Sequence, residues 1–143
     1  MTDTQIILDS SILGDYKQGT ENVKRFVHRI IDGDISAGVS ALSLVTLWSD
    51  PSFDRKTEIG FTTILEFIEI VPLNALIAKS MPANISMTDT NLPFLEVSAV
   101  VCTAQLYGCP VVCEKTEDYE KFDVEVYDCE SYLLKFETNY EFI

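Results

Sequence analysis

The stretch Gln5-Ile6-Ile7-Leu8-Asp9-Ser10-Ser11 decides how this chain is read. Consecutive apolar residues without alternation mark a strand covered on both faces, as in a parallel sheet. The run stops at Asp9, after which Ser10 and Ser11 offer N-cap hydroxyls for a short helix. A buried strand passing directly into a helix is the first half of a βα unit.

Working outward, the same alternation continues along the chain. The first helix runs to about Lys17 and stops at Gly19, and Thr20 is read as the cap of a second. Val23, Phe26, Val27, Ile30 and Ile31 of that second helix share one face, and Gly33 ends it. A short strand is expected over 34–39, then a helix capped by Ser40 through Trp48 and another over 54–68. Residues 69–73 read as a strand and 74–81 as a short helix ended by Pro82, with a polar loop over 83–91. Pro93 opens a helix through Tyr107 that Gly108 ends, with Val97, Val100, Val101 and Ala104 inward. A strand at 110–113, a turn capped by Thr116 running to Phe122, and an edge strand at 124–127 follow. This order predicts a three-layer α/β/α sandwich around a mainly parallel sheet. Its site should lie off the carboxyl ends of the strands, where the strand order reverses. That points to residues 9–11, 36–40 and 113–116.

Composition bounds the rest. The 143 residues suit one core over 1–143, and 47% hydrophobic against 23% charged residues is a globular balance. A formal charge of −13 disfavours broad attraction to RNA or to an anionic membrane. No apolar run reaches membrane-spanning length and the N-terminus lacks a signal-peptide pattern, so a cytoplasmic protein is expected. Cys102, Cys109, Cys113 and Cys129 fit no zinc-ligand spacing and the lone His28 cannot complete one, so reduced, buried thiols are expected. Residues 114–143 carry ten acids against three lysines, interrupted by Leu133, Leu134, Phe136, Tyr140 and Phe142. The segment 129–143 is read as a C-terminal extension that packs on the domain or on a partner.

Several segments, taken in order, resemble the PIN domain, the metal-dependent ribonuclease fold known from toxins of toxin–antitoxin modules. Ile7-Leu-Asp-Ser-Ser-Ile-Leu13 resembles its opening strand and D-[ST]-[ST] element, and Val39-Ser-Ala-Leu-Ser-Leu-Val-Thr46 its S-x-x-[ST]-x-x-E segment. Residues 69–78 are similar to the strand and helix that follow, 97–108 to its long D-A-x-I-A-A-T-A-x-x-x-G helix, and 110–118 to the strand and T-x-[ND]-x-x-D-[FY] turn. The resemblance implies about four carboxylates converging on Mg²⁺ or Mn²⁺ to activate water against an RNA phosphodiester. Carried over by position, the first acid is Asp9, the second falls on Thr46, the third on Val97 with Glu96 one residue earlier, and the fourth on Lys115; Asp118 matches a further acid at the rim. Three of the four expected ligands are absent. Ser10, Ser11 and Thr46 add only hydroxyls beside Asp9, and an ammonium at Lys115 repels a cation.

Each of these residues has a plainer reading. Asp9 is either a catalytic metal ligand or an acid placed by the following helix terminus. Glu96 is read as solvated, because one residue rotates a helical side chain by about 100° and Val97 fits the inner stripe. Lys24, Arg25 and Arg29, with Lys17 nearby, either hold RNA phosphates or fill the polar face of the second helix, and the polar face is favoured. The sequence therefore predicts a catalytically degenerate PIN-like protein acting in binding or assembly, with no metal cofactor. Its partner is expected to be a second copy or another protein. The alternative is a Mg²⁺- or Mn²⁺-dependent endoribonuclease built on Asp9, Glu96 and Asp118. In the degenerate reading, the Lys115 ammonium is expected to replace the ion and neutralise Asp9.

Overall fold

Strand β1 (Ile6–Leu8) is wholly buried because both of its faces are covered: Ile6 and Leu8 enter one core and Ile7 the other. The computed structural model describes residues 3–85 and 91–141, with side chains through 137; the expected loop residues 86–90, the Tyr140 side chain and Phe142 lie outside these. β1 pairs in parallel with β2 (Ala37–Ser40) on one side and with β4 (Val111–Val112) on the other. β3 (Glu69–Val71) and β5 (Val126–Tyr127) flank these, giving a parallel sheet in the order β3-β2-β1-β4-β5. The order reverses between β1 and β4, which is where the sequence placed the crevice.

Among the described residues seven α-helices cover the sheet, so the fold is the expected three-layer α/β/α sandwich. They are α1 (Ser10–Gln18), α2 (Glu21–Ile31), α3 (Ala41–Trp48), α4 (Arg55–Leu65), α5 (Ala75–Ser80), α6 (Leu92–Tyr107) and α7 (Cys129–Glu141). One core unites Leu8, Phe26, Val39, Phe61 and Leu133; on the other face Ile7, Val101, Val111 and Tyr119 pack together, with Val71, Ile77 and Ala99 beside them. Gly108 stops α6 at φ 64°, a left-handed conformation that lets its N–H return to Ala104 and Gln105 and turns the chain into β4.

Several local readings need correction. α1 is capped not by a serine but by Asp9, whose carboxyl accepts from Ser11 N–H. Thr20 stands at the cap of α2 without a side-chain bond there. β2 begins later than expected because Asp34 and Ile35 still donate to the Arg29 carbonyl at the end of α2. Pro82 does not end the chain's helical path: it enters the first turn of a 3-10 helix, Met81–Asn84, where its missing N–H costs nothing. The turn near Thr116 is a 3-10 helix, Thr116–Asp118, shorter than expected, and α4 stops at Leu65.

The acidic tail is a helix. α7 packs on α2 and buries Cys129 and Leu133 in the main core, while Glu137 receives Arg29 at 3.3 Å and lies 3.8 Å from Arg25. Half of the basic cluster read from α2 thus has an intramolecular partner. If Leu133 holds α7 in place, Leu133→Ala will cost about 2–5 kcal/mol in urea denaturation. Leu134→Ala, at a 69% exposed position, will stay within about 0.5 kcal/mol of the parent.

Candidate functional site

The crevice at the switch point is built from the ends of β1 and β4, the first turn of α1 and the first turns of α6. Asp9 leaves β1 with its carboxyl 8% exposed. Oδ1 accepts the Ser11 backbone N–H at 3.0 Å and the Ser11 hydroxyl at 2.5 Å, and Oδ2 accepts the Tyr119 hydroxyl at 2.9 Å. Ser11 Oγ in turn accepts the Glu114 N–H at 3.0 Å, so one hydroxyl ties α1 to the loop after β4.

Glu96 corrects the sequence reading. It is buried, 6% exposed, and its two carboxylate oxygens accept the Ser10 N–H and the Ser10 hydroxyl, each at 2.8 Å. Val97, read as the inward residue, is only half-buried and borders a separate cleft with Phe94, Asp118 and Phe122. The cause is the surroundings of α6: Ser98 to Ala104 are all buried, so this helix has no solvent stripe from which to read its phase.

No ammonium balances the two acids. Lys115 is exposed and makes no ion pair among the described residues, so the expected Lys115–Asp9 neutralisation is absent. Its side chain stands at the start of the 3-10 turn, and that turn directs Tyr119 rather than Lys115 onto Asp9. Tyr119 is the site residue that sequence reasoning missed; its signal was the aromatic position that closes the T-x-[ND]-x-x-D-[FY] turn. Asp118 is exposed and lies on the other side of that turn.

Burial, opposed by the Ser11 and Tyr119 hydrogen bonds and reinforced by the charge of Glu96, raises the Asp9 pKa from 3.8 to about 6. Burial and the adjoining Asp9 carboxylate push the Tyr119 phenol far above its usual range, so it stays a donor. Cys113, wholly buried beside these groups, is likewise held as a thiol by burial and by Asp9. On α3, the hydroxyls of Ser43 and Thr46 are buried without a hydrogen-bond partner. Thr46 therefore offers one neutral oxygen where the resemblance calls for a carboxylate. Among the described residues no three His, Cys, Asp or Glu side chains are grouped to hold a metal ion.

The raised pKa fixes the sign of a pH effect. The folded state holds the Asp9 proton more tightly than the unfolded chain, so its contribution is full below about pH 4 and is lost as pH rises through about 6. The full span is on the order of 3 kcal/mol. Asp9→Asn keeps an acceptor for Ser11 and cannot ionise. It is expected to exceed the parent in stability by about 1–3 kcal/mol at neutral pH, with the gap closing toward pH 4. Paired urea titrations across that range check it, and a variant less stable than the parent at neutral pH contradicts it.

No protein-family model and no curated protein matches the sequence. Solved structures do. A chain of a toxin–antitoxin complex from Klebsiella pneumoniae superposes with TM-score 0.67 at 17% identity, covering 87% of this chain and 98% of that one. A chain of DNA-bound VapBC from Salmonella typhimurium gives TM-score 0.67 at 13% identity, with 88% and 98% covered. FitAcB from Neisseria gonorrhoeae gives 0.65 at 16% identity, with 88% and 99% covered. At such identities the likeness is one of fold, and the fold is PIN-like.

Proposed function

We propose that this PIN-like protein acts in binding or assembly and that its acidic site does not support metal-dependent hydrolysis. One observation carries the reading: every oxygen of the two buried carboxylates already accepts a hydrogen bond from within the chain, Asp9 from Ser11 and Tyr119 and Glu96 from Ser10. Mg²⁺ demands near-octahedral oxygen geometry and is commonly held by one or two carboxylates that turn toward it, with water and phosphate oxygens filling the rest. A cation here would compete for these oxygens with three hydroxyls and two backbone donors, and the other positions that the resemblance names supply only Thr46 Oγ1 and an exposed lysine. The residues present do not fit the ion, so no hydrolytic step is derived through one.

The partner is proposed to be a protein, either a second copy or a chain of another kind. Support comes from the solved neighbours, which include a toxin–antitoxin complex, and from the exposed Val45, Ile59, Leu73 and Leu76. Sedimentation velocity is expected to show a species heavier than the 16.1 kDa monomer.

A second reading, a Mg²⁺- or Mn²⁺-dependent ribonuclease, has one observation in its favour: Glu96 stands close enough to raise the pKa of Asp9, so two carboxylates meet in the crevice. Calorimetric titration with Mn²⁺ and RNA incubation with each metal separate the two. The expected result is no saturable Mn²⁺ binding at sub-millimolar concentration and no cleavage. Cleavage that a chelator abolishes and Asp9→Ala removes establishes the ribonuclease instead.

A further inference from the structure

A cleft away from the acidic crevice lies between α1, the end of α2, and α4. Its volume is about 540 Å³, within the range of about 300–1,000 Å³ that small-molecule sites occupy. The buried faces of Phe61 and Ile64 line it, with Tyr16, Ile31 and Phe67 closing the sides. Gly60 of α4 is part of its lining, and a Cβ built there meets nothing within 4 Å, so the space beside it is open.

The mouth of this cleft is charged. Lys17 and Lys56 stand there with Asp54, and neither ammonium makes an ion pair among the described residues. Asp54 is engaged elsewhere, its Oδ1 accepting the Thr57 N–H at 2.8 Å as the cap of α4. Among the lining residues two ammoniums stand with one carboxylate, and Lys17 also acts on Asp50 beside the cleft, in a chain whose formal charge is −13. An apolar body with one anionic head complements that arrangement, since the tail removes apolar surface from water and the head meets two ammoniums that no ion pair holds.

We propose that this cleft binds an amphipathic monocarboxylate, its hydrocarbon or aryl body against Phe61 and Ile64 and its carboxylate between Lys17 and Lys56. Decanoate is the probe, with decanol as the uncharged control. The protein's single tryptophan, Trp48, lies 6.1 Å from the Phe61 ring and reports on the cleft. Decanoate is expected to bind the full chain saturably by Trp48 fluorescence and by calorimetry, at least tenfold more tightly than decanol. The double variant Lys17→Gln/Lys56→Gln loses that preference. Gly60→Leu fills the space from an ordinary helical position and is expected to abolish binding while the thermal melt stays at or above the parent's.

Three results overturn the assignment: no saturation with decanoate up to about 1 mM, decanol binding as tightly as decanoate, or a folded Gly60→Leu variant that binds decanoate unchanged. Saturable binding of an acidic amphipathic helical peptide at this cleft, where decanoate fails, also overturns it and makes the face a protein-docking groove.

Discussion

A carboxyl group buried at the end of the central strand has to be satisfied by hydrogen bonds, and the arrangement of the switch point follows from where the chain supplies them. Asp9 caps α1 through Ser11 and receives the Tyr119 hydroxyl from the far side of the sheet. Those bonds join the end of β1, the start of α1 and the turn after β4. They do not make the carboxylate comfortable: burial and the nearby Glu96 outweigh them, and its pKa rises to about 6. A site that keeps an acid the fold would hold more easily as an amide is strained in the electrostatic sense, and strain of this kind gathers where a fold has served chemistry.

The second acid is held on different terms. Glu96 is bound at both oxygens by one residue, Ser10, through its backbone and its hydroxyl. Successive serines in the Asp9-Ser10-Ser11 element thus serve two carboxylates from two different segments, one local and one 86 residues away. Among the described residues no ion pair to a Lys or Arg compensates this pair of acids. Hydroxyls and backbone N–H groups take that place.

At the opposite end of the charge distribution, the acidic tail and the basic helix meet. Arg29 reaches Asp34 and Glu137 and stacks 5.8 Å from the Phe136 ring, while Leu133 of the same helix enters the core. Exposed ion pairs of this kind contribute little by themselves; the apolar residues of α7 hold it, and the pairs set its register on α2. The residues that looked like a phosphate-binding patch are thereby partly engaged within the chain.

The alternation of strands and helices, the burial of β1 on both faces, the stop at Gly108 and the crevice off the ends of the strands were all legible in the sequence. Each is recorded locally, in the period of apolar residues or in the residue type a turn requires. The phase of α6 was not, because its middle, Ser98 to Ala104, is buried all round and carries no polar stripe to fix its rotation, so Glu96 was read as solvated although it is buried. Nor was the partner of Asp9: Lys115 and Tyr119 are four residues apart, and only the 3-10 turn between them decides which reaches the carboxyl. The sequence by itself determined which segments are buried and in what order they are joined. Tertiary structure alone decided which polar groups satisfy one another, because bonds between residues 9 and 119 or 10 and 96 obey no period along the chain.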